Sequence, residues 1–574
     1  MGDPMKKLLA VLLVFTSLVL AQGANLFERV STIPVPLKES DGWGNFVTGF
    51  DLDGNGKVDL IAVNNNAIDT DTEFVGSMIP TIYWYEYDQI IKEWSEKWMT
   101  TITDIPLQNT WAQLIADDID GDGKLEIIWS VVNYPSAKYN PNPNKIFIFK
   151  SNTDGTLGIS DGLGGYTPNT ATKVFPEDSV YYNTRPYKMF VKDIDGDGKK
   201  EIIYIDRVAT STITTKSALE VVVLGVENIP TKAGENATWT VKFTGKFDTP
   251  DYFTGTKLDG FILGNSIYAI NTLSYIMGVK WDAQQNKFVT LPKQNLNTDL
   301  NLGFAVGPYY TATSVDIDGD SKEEVVLAEG RNAAAVGKVA VLIPKTDGSG
   351  FEGYKIAQMT NIVSYFDTTK GLNGCAVGDI DGDGKIDIVM GGRGLAVGQK
   401  NPNYVYRIAY KGGDIKSSQS YEVTVIDTAI HENSGQIDII RIANIDNDPI
   451  KEVLYTSSYP RGVADYPGIP IVALKGTWVS TESVKPNTFA LYQNYPNPFN
   501  PTTVISFSLT SNANVSLKVY NILGQQVATL IESQNLTAGL HKVNFNATNL
   551  PTGTYFYTLS ANGNTITKKM LLVK

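Results

Sequence analysis

The chain has 574 residues, 42% hydrophobic and 19% charged, which is too long for one ordinary core and predicts two or more folded domains. A net charge of −13 argues against nucleic acid as a partner, and 29 tyrosines and 51 glycines favour strands and turns over helices. A single cysteine, Cys375, excludes an intramolecular disulfide, so stability must come from packing, ring closure or metal.

The start, after an MGDP that reads as a misplaced beginning (1–4), has Lys6 and Lys7 followed by an apolar stretch from Leu8 to Leu20 and a small-residue cleavage site at Ala21. That stretch is too short to span a bilayer comfortably, and residues 1–21 are expected to form a secretory signal peptide. Nothing later is long and apolar enough to be a transmembrane segment.

From Asp51 the chain carries DLDGNGKVDLIAV, and close copies start at Asp118, Asp193, Asp316, Asp379 and Asn444. The spacing is about 65 residues except for one gap of nearly two periods, which predicts seven units. KLDGFILGNSIYAIN from Lys257 fits the missing place as a worn copy, keeping Leu258-Asp259-Gly260. In each intact copy, side-chain oxygens at positions 1, 3, 5 and 9 and the main-chain carbonyl at position 7 surround one point. Glycines at positions 4 and 6 let the backbone curl. These positions are Asp51, Asp53, Asn55, Lys57 and Asp59; Asp118, Asp120, Asp122, Lys124 and Glu126; Asp193, Asp195, Asp197, Lys199 and Glu201. In the second half they are Asp316, Asp318, Asp320, Lys322 and Glu324; Asp379, Asp381, Asp383, Lys385 and Asp387; Asn444, Asp446, Asp448, Ile450 and Glu452. Like charges so crowded need a cation. Ca²⁺ accepts six to eight oxygens in flexible geometry, whereas Mg²⁺ demands a tight octahedron, so about six calcium sites are expected.

An EF-hand would place Glu at position 12 and continue as a helix. Here position 12 is Ala62, Trp129, Tyr204, Leu327, Met390 or Tyr455, and the following runs (LIAV, IIWS, IIYI, VVLA, IVMG, VLYT) are strand-like. The loop therefore joins two strands. Further strands, among them TIYWYEYD (81–88), KIFIFKS (145–151) and KVAVLIPK (338–345), bring each unit to four. Four strands in seven units predict a β-propeller.

These loops resemble the FG-GAP/VCBS repeat family, whose seven-bladed form heads integrin α chains. The resemblance covers 25–482, although the Phe-Gly and Gly-Ala-Pro elements are mostly missing. If the metal loops join first and second strands, they share one face of the disc. The long Asn-, Pro-, Gly- and Tyr-rich loops 64–80, 131–144, 391–403 and 456–469 then share the other. Trp43, Trp111, Arg185, Tyr309, Tyr310, Asn373 and Gln436 are candidates for that ligand face, suited to a sugar or peptide or simply plugging the channel. With only His431 and His541, a histidine-based triad or zinc site is not expected. The glycine-rich 152–190 insertion lacks the GK[ST] and helix of a phosphate cradle.

Composition shifts at 483–501, where YPNPFNP marks a Pro-rich linker. Alternating strands then build a small Ig-like β-sandwich over 490–574. Tyr495-Pro496-Asn497-Pro498-Phe499, Val519-Tyr520-Asn521, Gly524-Gln525, Gly539, His541, Gly553, Tyr555 and Lys568-Lys569-Met570-Leu571 resemble the type A C-terminal sorting domain of type IX secretion. That resemblance implies export to the cell surface or medium and contact with the type IX machinery. The expected whole is an all-β, calcium-binding propeller with a sorting sandwich, acting as a non-catalytic binding or adhesion module. A self-associating subunit of a filament or layer, and a glycan-active enzyme such as a polysaccharide lyase, are the alternatives.

Overall fold

A computed structural model describes residues 27–573, apart from 37–41, 66–78, 103–107, 133–143, 174–185, 207–220, 246–256, 360–368, 395–403, 429–436, 457–469, 477–488, 495–496 and a few single positions. The expected signal peptide lies outside the described residues. The chain divides into two compact units, Met1–Thr477 and Trp478–Lys574.

In the first unit the described residues form seven antiparallel sheets built on one plan. The first contains Trp43–Phe50, Asp59–Asn64, Thr81–Asp88 and Glu93–Thr101 in sequential order, and successive sheets repeat it. Their second strands are Glu126–Val132, Glu201–Asp206, Ser266–Asn271, Glu324–Ala328, Asp387–Gly394 and Glu452–Thr456. Asp59–Asn64 is buried along its whole length, because a sheet packed on both faces needs no polar side.

Each apolar core of this unit draws on two consecutive sheets. Ile61 and Trp84 of the first pack with Ile127 and Trp129 of the second, and the pattern continues around to the seventh. The last core joins Leu454 and Ala473 of the seventh sheet to Trp43, Phe46 and Tyr83 of the first. Seven cores between seven sheets close a ring, which is a β-propeller. Polar bonds cross the same seams: Asn45 Nδ2 donates to Ala112 O at 2.7 Å, and Arg441 Nη2 donates to Asn45 Oδ1 at 2.9 Å.

Two features depart from the sequence reading. The seventh sheet takes its fourth strand from the beginning of the chain, where Phe27–Ile33 pairs antiparallel with Ile471–Gly476. In the fourth sheet, Lys257–Leu263 is the first strand rather than a worn cation loop. The turn that follows has shrunk to Gly264-Asn265, with Leu263 paired to Ser266. Asp259 consequently lies in the sheet, wholly buried. Its carboxylate receives the Lys188 ammonium at 3.0 Å and the backbone N–H groups of Thr311 and Ala312 at 2.5 and 2.7 Å.

In the second unit, Thr502–Leu509 pairs with Ala490–Leu491 and Gly539–Asn546 in one sheet. The other runs Gln526–Leu536, Ala513–Asn521, Gly553–Ala561, Asn564–Leu572. Phe507, Leu517, Tyr557 and Met570 fill one core between them, making a sandwich. His541 stacks on Phe507 with ring centroids 5.1 Å apart, a scaffold position.

Candidate metal centres

Every intact acidic loop joins the first and second strands of its sheet, as expected. Position 2 (Leu52, Ile119, Ile194, Ile317, Ile380, Ile445) is buried and pins the loop to an inter-sheet core. The position 1 carboxylate then receives the N–H groups of positions 4 and 6. Asp118 accepts from Gly121 at 2.7 Å and Gly123 at 2.9 Å, and Asp193 from Gly196 at 2.7 Å and Gly198 at 3.0 Å. The position 9 carboxylate accepts from the N–H of position 2: Glu126 from Ile119, Glu201 from Ile194 and Glu324 from Ile317, each at 3.0 Å. Position 5 accepts from the N–H of position 7, as Asp122 does from Lys124 at 2.9 Å. Glycines at positions 4 and 6 have positive φ, as at Gly121 (75°) and Gly123 (86°). The fourth loop departs from this, with Ser321 at position 6 and φ of 67°.

This scaffold holds carboxylate oxygens within 4.8 Å of one another in Asp51, Asp53 and Asp59; Asp118, Asp120 and Asp122; Asp193, Asp195 and Asp197; Asp316, Asp318 and Asp320; and Asp379, Asp381 and Asp387. The sixth loop differs at position 1. There Asn444 replaces a carboxylate, its amide donates to Asp448 O, and its Oδ1 is buried with no hydrogen-bond partner. Glu126 is wholly buried, and its Oε1 has no hydrogen-bond partner, only the Lys150 ammonium 3.5 Å away. An all-oxygen donor set with orphaned inward oxygens fits a hard divalent cation.

Burial pushes the position 9 carboxyls up: Asp59 and Asp387 to about 6, Glu126 and Glu452 to about 7, with Glu201 and Glu324 shifted the same way. Loss of hydration disfavours the carboxylate and outweighs the N–H groups and ammoniums that favour it.

Side chains invisible to the loop motif reach these clusters from other strands. Lys150 Nζ lies 2.5 Å from Asp120 and 2.8 Å from Asp122. Lys242 Nζ lies 2.8 Å from Asp195 and Asp197 and 2.6 Å from Glu201. Lys475 Nζ contacts Asp446 and lies 2.8 Å from Asp448 and 2.7 Å from Glu452. Arg407 pairs with Asp381 and, at 2.8 Å, with Asp387. Lys97 pairs with Asp53 and, at 3.1 Å, with Glu86. Their distances in sequence from the loops follow no fixed spacing, so no motif could have found them.

The ligand-face candidates scatter. Trp43 is wholly buried, edge-on to Tyr83 and Tyr85 at 5.4 and 5.9 Å. Asn373 is buried, and Tyr309 is half-buried. Tyr310 stacks on Tyr187 at 4.5 Å and borders a cavity of about 390 Å³ with Asn45, Gln113, Lys188, Cys375 and Arg441. The Cys375 thiol is pushed up to about 12 by burial, which keeps it from acting as a thiolate. Arg185, Gln436, His431, the side chain of Trp111 and most of the four long loops lie outside the described residues. Within 152–190, Ile159–Ser160 and Tyr166–Thr167 form a small hairpin whose Tyr166 meets Trp98 at 5.6 Å.

No curated protein matches the chain. Among solved structures, a Lactobacillus plantarum protein is 12% identical, with 70% of this chain and 84% of that one covered and a TM-score of 0.35. A Penicillium chrysogenum alpha-L-arabinanase complexed with arabinobiose is 11% identical (79% and 98% covered, TM-score 0.36), and a Bacillus licheniformis rhamnogalacturonan lyase PL11 is 13% identical (78% and 76%, TM-score 0.31). Likenesses this distant carry no argument, and the fold rests on the strand connectivity. None of the helices among the described residues is long and apolar enough to cross a membrane. Two family models match parts of the chain: residues 51–129 are an FG-GAP-like repeat within the propeller, and residues 493–574 are a secretion system C-terminal sorting domain, which marks the protein for type IX export to the cell surface or extracellular space.

Proposed function

We propose that this exported propeller binds about six Ca²⁺ ions and serves as a non-catalytic binding or adhesion module outside the cell. The observation that carries the calcium reading is an acidic loop recurring at the same hairpin of six of seven sheets, with carboxylate oxygens gathered within 4.8 Å in at least five of them. Ca²⁺ bound there would neutralise the position 1, 3, 5 and 9 carboxylates and hold each hairpin in the curl its sheet needs. The binding role is supported by where the perturbed carboxyls lie. Among the described residues of the propeller, the carboxyls pushed strongly upward belong to the acidic loops, which supports a scaffold role for them. A ring of sheets also presents its connecting loops as one recognition face.

The test uses the purified secreted protein on an array of bacterial and plant glycans, with Ca²⁺ and with EGTA. Retention on defined glycans that EGTA abolishes supports the reading. Release of unsaturated sugars from uronic polymers would replace it with a lyase.

A further inference from the structure

Resting on that calcium reading, we infer that the six loops are not equivalent: five are met by a lysine or arginine reaching in from another strand, and Asp316–Glu324, which among the described residues is not, is the site that depends most on Ca²⁺. Strand register carries the argument. One step beyond the Val453–Leu474 pair, Glu452 faces Lys475, and Glu126 pairs directly with Lys150. Both lysines lie largely inside the protein, with side chains 15% and 8% exposed, and each meets three carboxylates of its loop. In the third sheet the same place is taken by Gly225, and Lys242 from the next strand lies across it, its Cε 3.4 Å from where a Cβ would stand. The sixth sheet uses Arg407, 7% exposed, and the first uses Lys97.

The fifth sheet breaks the series. One step beyond the Val325–Leu342 pair, Glu324 faces Ile343. Among the described residues, the only ammonium paired with this loop is that of its own Lys322, 2.7 Å from Asp320 on a side chain 76% exposed. A cavity of about 710 Å³ opens beside the loop, lined also by Ile343, Glu323, Asp414 and Lys416. Lys416 is directed elsewhere, to Glu352 at 3.5 Å and over the Tyr354 ring. Four carboxylates thus converge without an internal counter-charge, next to space through which an ion exchanges. The sixth loop is the opposite extreme, with three carboxylates, a neutral Asn444 and Lys475 in contact with all three acids. An ammonium a few ångströms from the ion both repels it and occupies its oxygens, so each internal cation weakens Ca²⁺ binding.

Calcium titration of the full secreted chain against a chelating dye tests this. The tightest class should be a single site, absent in Asp318→Asn and retained in Asp446→Asn. Ile343→Lys should weaken that site at least about tenfold, given one unit charge at ion-pair distance in a partly buried setting. Ile343→Met should leave it unchanged, which separates charge from loss of packing. Lys475→Ile should tighten a second class. Six equal sites, a tightest site that survives Asp318→Asn, or an Ile343→Lys variant that binds like the parent would each overturn the inference while leaving calcium binding intact. No binding by any form would instead remove the calcium reading, and this inference with it.

Discussion

The Arg29 guanidinium grips Asp427 with two nitrogens, Nε to Oδ2 and Nη2 to Oδ1, each at 2.9 Å. Arg29 belongs to the strand that completes the seventh sheet from the beginning of the chain, and Asp427 to the outer strand of the sixth. The buried Tyr455 hydroxyl donates to the same carboxylate at 2.9 Å. The pair therefore clamps the strand that closes the ring.

Arg29→Ala should lower stability modestly, by roughly 1 kcal/mol or less, because the arginine side is partly exposed and screened. Asp427→Ala should cost more, about 1–3 kcal/mol, since it also strips the buried Tyr455 hydroxyl of its acceptor. Thermal melts of the two variants check the order. An Arg29 variant at least as damaging as the Asp427 variant would refute this account of the clamp.

Acidity should act in opposite directions with and without calcium. A carboxyl whose folded pKa lies above its unfolded value keeps its proton longer in the folded state. Its contribution to stability is full below the unfolded value and lost as pH rises through the folded one. Asp59, Asp387, Glu126 and Glu452, raised to about 6 and 7, place that loss between about pH 4.5 and 7. In EGTA the melting temperature should fall between pH 5.5 and 8. In excess Ca²⁺ it should rise, because the ion needs ionised ligands and stabilises only the folded form, by about 2.7 kcal/mol per site at a hundredfold excess over Kd. Parallel melting profiles in the two buffers would contradict it.

Ser321 holds a left-handed backbone, φ 67°, where the equivalent Gly56, Gly123, Gly198 and Gly384 pay no Cβ penalty. Ser321→Gly should stabilise the calcium-loaded protein by about 1 kcal/mol or slightly less, the gain being trimmed by glycine's freedom in the unfolded chain. Denaturant melts measure it, and a loss of stability would show that the serine side chain itself matters.

Removal of 493–574, the sorting domain, should keep the protein from the cell surface and medium without unfolding the propeller, since the two units have separate cores. Immunoblots of cell fractions, with a melt of the purified truncation, decide this. Undiminished amounts outside the cell would sink it.

The sequence by itself determined the acidic loops between first and second strands, the count of seven units and the sorting sandwich. These depend on local patterning: carboxylates at alternate positions, glycine where φ is positive, and apolar runs that enter sheets. It could not show that Phe27–Ile33 belongs beside Ile471–Gly476, because a strand of ordinary composition does not name a partner more than four hundred residues away. Nor could it show that Asp259, which imitates a loop acid, is a buried sheet residue paired with Lys188. The internal cations were hidden for the same reason. Lys150, Lys242, Arg407 and Lys475 meet their carboxylates only because sheet pairing sets one strand against the next, and that register exists only in the folded sheet.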